Sequence, residues 1–171
     1  MAKKLGSLAL KNIIKRLEAS VKESISRTAL VDVGVFATEL IVKRTRLGYG
    51  VDQSLGQKAK LAPLSQKYIK SRSMFDGLSD MTTAKRSNLT RTSQMLDSIR
   101  SVVKGNTIEI APSGARDDGK RNKDIARYNE QGGRGRPKRI FMNISSLEFK
   151  QTVRFYRKTF GDLLRKRNVI K

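Results

Sequence analysis

The sequence predicts an α+β protein, with N-terminal helices and a C-terminal amphipathic helix packed on a small antiparallel sheet and long basic loops between them. Three observations carry that reading. Apolar residues recur at the 3-4 spacing of amphipathic helices near both ends of the chain. Between them, residues 99–111 alternate as strands do across a Gly-Asn turn. The remaining stretches are rich in glycine, Lys and Arg and hold too few apolar side chains to be buried. At 171 residues the length fits one domain, divided into a helical region 1–47, a loop-rich segment 48–88 and an α+β core 89–171 whose basic loop spans 112–139.

The first helix carries Leu10, Ile14, Leu17, Val21 and Ile25 on one stripe, with Lys11, Lys15, Arg16 and Lys22 among the other positions. A second pattern runs from about Thr28 to Arg46 through Val33, Phe36, Ala37, Leu40 and Ile41. Lys43, Arg44 and Arg46 suit the negative end of its dipole, and Gly48 and Gly50 supply a stop. The two patterns form two helices, or one helix bent near Ser26. In 48–88 only a brief helix is expected, from Ser65 as cap to about Ser71, with 74–86 a flexible loop. Asn88 or Thr90 can cap the next helix, through Leu89, Thr92, Met95, Leu96 and Ile99.

Two antiparallel strands follow, 99–103 and 107–111, joined by Lys104-Gly105-Asn106. Residues 113–123 read as a solvated excursion, and residues 125–131 as a polar helical segment stopped by Gly132-Gly133. A short strand at 140–143 is expected to pair with the hairpin. The last helix, 146–167, takes Ser145 or Ser146 as its cap and places Phe149, Val153, Tyr156, Phe160 and Leu163 on a core-facing stripe.

Composition removes several function classes. Without cysteine there is no disulfide, thiolate metal site or cysteine nucleophile, and without histidine a zinc centre is effectively excluded. The longest apolar stretch, 29–42, contains Asp32 and Glu39 and is too short to span a bilayer. The first residues interleave lysines with apolar side chains and lack a signal peptide's apolar run, so a soluble cytoplasmic chain is expected. The net charge of +22, from 37 Lys plus Arg against 15 Asp plus Glu, favours an anionic partner. The excess is spread along the whole chain and aromatics are only 6%, unlike a reader that concentrates charge and stacks bases on aromatic rings.

The sharpest candidate contact is the loop after Gly132-Gly133, where Arg134, Arg136, Lys138 and Arg139 surround Pro137. So many cations cannot be buried unpaired, so the loop faces water or an anionic partner. Arg116, Lys120, Arg121 and Lys123 make a secondary contact loop. Glu109, Asp117, Asp118, Asp124 and Glu130 are near enough in sequence to raise a magnesium site for phosphodiester cleavage, but each has a cation nearby and ion pairing is the simpler reading. The glycine-arginine run 132–136 does not fit the phosphate-binding pattern G-x-x-x-x-G-K-[ST], and a helix stop with a loop is favoured. No catalytic, cofactor-binding or metal-binding residue is expected.

Three local patterns, taken in order, resemble the tail-completion or head-tail joining proteins of tailed bacteriophages. Pro63-Leu64-Ser65 with Tyr68 is similar to the segment before that family's central helix. Leu89, Thr92, Met95, Leu96, Ser98 and Ile99 resemble its helix-to-strand signature, with Ser93 where a glycine is usual. Ala126, Glu130, Gly132, Gly133, Pro137, Arg139 and Phe141 are similar to its closing element, and the charged stretch 113–123 is longer than that family leads one to expect. The resemblance covers about residues 60–165. It implies a non-enzymatic structural subunit without cofactors that forms a homo-oligomeric ring in the virion neck. Its neighbours would be portal or adaptor and tail-terminator or tail-tube proteins, with possible contact to DNA in the channel and none to membrane. A basic nucleic-acid-binding protein of the cytoplasm is the alternative that shares the charge and the loop.

Overall fold

The computed structural model describes residues 2–74, 89, 92–133 and 135–166. Among them are helices α1 (Ala2–Arg46), α2 (Gln66–Ser73), α3 (Gln94–Asp97), α4 (Asn122–Gln131) and α5 (Ser146–Lys166). Strands β1 (Tyr49–Asp52) and β2 (Gln57–Lys60) form one antiparallel hairpin, and β3 (Ile99–Lys104) and β4 (Thr107–Pro112) another. The class is α+β, as the sequence predicts, but the sheet is two separate two-stranded sheets.

The N-terminal patterns form one helix that runs through Ser26 without interruption. No proline stands in it to force a break. Its C-terminal half buries Ala29, Val33, Ala37, Ile41 and Thr45, a face that repeats every four residues. Gly34 sits beside that face for a packing reason. A Cβ there would lie 2.7 Å from Ser101 Oγ and 3.1 Å from Ile108 Cγ2, so glycine lets the β3–β4 hairpin lie against the helix.

Helix α5 runs antiparallel along α1. Phe36 stacks on Phe155 with ring centroids 4.4 Å apart, and Arg44 near the end of α1 meets Glu148 near the start of α5. The cap is Ser145: its Oγ accepts from Glu148 N–H at 3.3 Å while the Glu148 carboxylate accepts from Ser145 N–H at 2.9 Å. That reciprocal pair satisfies two donors at the helix start. The expected stripe needs correction, since Phe149 is 61% exposed and the aromatic that reaches α1 is Phe155. Phe160 is half-buried and stacks on Tyr156.

Two other expectations change. The helix through Leu89 and Ile99 shrinks to the single turn α3, because Ser93 takes a left-handed backbone with φ 58° that no right-handed helix can contain. The candidate caps Asn88 and Thr90, and the loop reading over 75–86, lie outside the described residues. Residues 140–143 form no strand and do not join the β3–β4 hairpin; instead Val51 N–H of β1 donates to Ile140 O at 3.0 Å. Phe141 there is fully buried, in one cluster with Leu61, Met95, Leu96, Ile99 and Ala126. Ser65 caps α2 as expected, its Oγ accepting from Tyr68 N–H at 3.3 Å.

Candidate assembly and polyanion interface

Helix α4 and the loops at its two ends carry most of the cations that the sequence singles out. The helix stops at Gly132, with φ 67°, where a Cβ would lie 2.7 Å from Arg136 O. Only glycine meets both conditions without strain. Gly133 and Arg136 then exchange backbone hydrogen bonds of 3.1 and 3.0 Å, closing a tight turn around Gly135. Arg134, within that turn, lies outside the described residues. Arg136 and Lys138 are exposed.

Arg139 is placed differently from its neighbours. Its Nε donates to Ala62 O at 3.1 Å and its Nη2 to Pro63 O at 3.0 Å, while its N–H donates to Asn129 O at 2.8 Å. Burial pulls its guanidinium below the ordinary value. Arg139 therefore fastens the segment after β2 to the end of α4. Glu130 acts beside it, its Oε1 accepting from Phe141 N–H at 2.7 Å and from Met142 N–H at 2.8 Å.

The excursion 113–123 is largely exposed, apart from buried Asn122, yet it is a closed loop. Arg116 N–H donates to Lys120 O at 2.9 Å, Ala115 bridges to Arg121, and Asn122 N–H donates to Gly114 O at 3.1 Å as α4 begins. Its cations also divide. The Arg116 guanidinium is directed at Gln94 and Asp118, and Lys120 Nζ meets Asp118 at 3.0 Å. Hydrogen bonds from the Lys120 side chain and backbone hold the Asp118 carboxyl below the usual carboxylate range. Arg121 and Lys123 are exposed and form no ion pair among the described residues.

The two loops are separated by the ten residues of α4, about 15 Å along its axis. Lys123 and Arg127, one turn apart on the exposed side of that helix, make a short cationic ridge between them. Arg127 was missed as a contact candidate by sequence reasoning, although its i, i+4 relation to Lys123 was legible. It lies 5.6 Å from the ring of the half-exposed Tyr128 and pairs with Asp124 at 3.2 Å. The ridge can bind an anionic surface through Lys123, Arg127, Arg136 and Lys138.

The carboxylates weighed for magnesium are dispersed into structural contacts. Glu109 pairs with Lys104, Asp117 accepts from Gln94, Asp118 holds Lys120, Asp124 pairs with Arg127, and Glu130 holds the backbone at Phe141. Among the described residues no group of three acidic side chains is placed to hold a metal ion.

The best-buried ion pair was not anticipated. Arg44 donates to the Glu148 carboxylate, to Phe141 O and, at 2.8 Å, to Asn143 O, joining the end of α1 to the start of α5. Burial lowers the Arg44 guanidinium from its ordinary value, and Glu148 beside it opposes that shift. The Ser-x-x-Glu pattern at 145–148 was a legible signal for the helix start, whereas Arg44 could not be told from Lys43 and Arg46 by sequence. Compared with protein-family models, with curated proteins and with solved structures, the chain matches none of them. Among the described residues no helix is long and apolar enough to cross a membrane.

Proposed function

We propose that the chain is a structural, non-enzymatic subunit of a tailed-phage virion, which forms a homo-oligomeric ring in the neck and joins the head, through its portal or adaptor, to the tail. One observation carries this reading. Met95, Leu96, Ile99, Ala126 and Phe141, apolar positions of the two longer phage-like patterns, come together in a single core cluster. Within the first of these two, Ser93 stands where the resembled family has glycine, and it takes the positive φ that glycine adopts without strain. Arg139 fastens the closing element to Ala62 and Pro63, beside and within the first of the three patterns. Exposed Arg136 and Lys138 stand at and just after the hydrogen-bonded turn, a suitable arrangement for docking on an acidic neighbour, where charge steers and orients.

Binding to nucleic acid is the second reading, favoured by the cationic ridge along α4 with Tyr128 beside Arg127. Electron micrographs of the purified protein, alone and with portal and tail components, separate the two. The neck reading expects rings and a bridged portal–tail junction. Irregular coating of duplex DNA with no ring and no junction would instead favour the nucleic-acid reading.

A further inference from the structure

Helix α1 carries apolar side chains on two faces, and the described residues bury one of them. The buried face is the row Ala29, Val33, Ala37, Ile41. On the opposite side Val31 is 48% exposed and Val35 is 50% exposed. Counting toward the N-terminus in alternating steps of four and three residues, the sequence positions in line with Val31 and Val35 are Thr28, Ser24, Val21, Leu17, Ile14 and Leu10. Toward the C-terminus the exposed face ends at half-buried Thr38, because Val42 packs against the core cluster. Thr38 Oγ1 donates to Gly34 O at 2.8 Å, so its hydroxyl is satisfied within the helix. By helical periodicity the apolar heptad positions of the N-terminal half are thus in line with Val31 and Val35.

Length reinforces the point. The contacts of Arg44 with Glu148 and of Phe36 with Phe155 fix the antiparallel register of α1 and α5. At about 1.5 Å per residue in both helices, Lys166 at the end of α5 falls level with roughly residue 25 of α1. The helix continues to Ala2 past that level.

We propose that this face is a self-association seam on which α1 of a second copy of the chain packs in parallel. The residue types specify that occupant. In heptad terms the a positions from 14 to 35 are all β-branched: Ile14, Val21, Thr28 and Val35. The d positions include Leu10 and Leu17. β-branched a positions with leucine at d favour parallel two-stranded coils over larger bundles. At the flanks, exposed Arg27 is at g and exposed Asp32 at the following e, the spacing that brings opposite charges together across a parallel pair and sets its register. Pairs joined in this way remain free to close a ring through other surfaces. Such a seam is independent of the neck assignment, and its failure would leave that reading standing.

The chain has no cysteine, so single cysteines report the seam directly. In the full-length protein, Leu10→Cys and Ser24→Cys, both at d, should each run as a covalent dimer after mild oxidation. Ala19→Cys, at the outward f position, should stay monomeric. An antiparallel pair can bring at most one of the two seam positions onto its own copy, so linking at both is specific to the parallel arrangement. Val21→Asp with Val35→Asp should halve the molar mass measured by light scattering and keep a helical circular dichroism spectrum. Arg27→Asp should weaken association at least several-fold, and adding Asp32→Arg to it should restore association. Linking at only one seam position or at neither, equal linking at Ala19→Cys, or a monomeric mass for the parent chain would overturn the proposal.

Discussion

Arg44 is tolerated in the interior because the Glu148 carboxylate and two backbone carbonyls meet it there. A buried pair of this kind adds little net stability, but removing one partner leaves the other charge uncompensated. Glu148→Ala should therefore cost about 3 to 5 kcal/mol in chemical denaturation, and Arg44→Met combined with Glu148→Leu much less than that. Asp52 makes an exposed contribution of a different kind. Its Oδ1 accepts from Ser54 Oγ at 2.6 Å, from Ser54 N–H at 2.8 Å and from Leu55 N–H at 3.3 Å, which holds the β1–β2 turn and lowers its pKa below the usual carboxylate value. A carboxyl depressed in the folded state contributes fully above its unfolded pKa, and that contribution fades as the pH falls through the folded value. Stability should thus decline as the pH is lowered from about 5 toward 3, a decline that Asp52→Asn should make shallower in melts across that range. The Arg44–Glu148 pairing was not visible residue by residue. Ion pairing was legible for Glu109, Asp118 and Asp124, whereas Asp117 accepts from Gln94, Glu130 from backbone N–H groups and Glu148 from Arg44 across the fold, contacts that no local pattern encodes.

At the scale of elements, local periodicity and turn chemistry were reliable wherever nothing distant competed. The Gly105-Asn106 turn, the stop at Gly132 and the Ser145 cap all stand as the sequence implies. The failures share a cause: a tertiary contact chose between locally equivalent options. Helix α5 offers Phe149, Phe155, Tyr156 and Phe160 on adjoining sides, and only the docking of α1 decides that Phe155 turns inward while Phe149 stays out. Phe155→Ala should therefore destabilise by about 2 to 3 kcal/mol, somewhat less than a fully buried phenylalanine, and Phe149→Ala by under about 1 kcal/mol in thermal melts. Because Phe36 and Phe155 share one contact, the Phe36→Ala, Phe155→Ala double variant should lose less than the sum of its parts. Residues 140–143 show the same limit, since their apolar run fits a strand and a buried loop equally well, and burial of Phe141 decides.

For the molecule as a whole, the location of the candidate interface was legible but its membership only in part. Glycines and a proline marked where the chain must turn, and charge marked which turns stay in water. Which cations are available was not legible, because Arg139 and Arg116 are spent on internal contacts while Arg136, Lys138, Arg121 and Lys123 remain exposed. That division sharpens the test of the neck assignment. Arg134→Ala, Arg136→Ala and Lys138→Ala are combined and Arg139 is retained, since its loss would disturb folding. The triple variant should keep the parent's circular dichroism and melt within about 1 kcal/mol of it, because surface charges seldom affect stability strongly. The decisive measurement is the yield of infectious particles when this subunit is supplied to phage lacking its own copy. The neck account predicts a loss of at least tenfold, with filled heads and finished tails accumulating unjoined; a normal yield from the well-folded variant would contradict it.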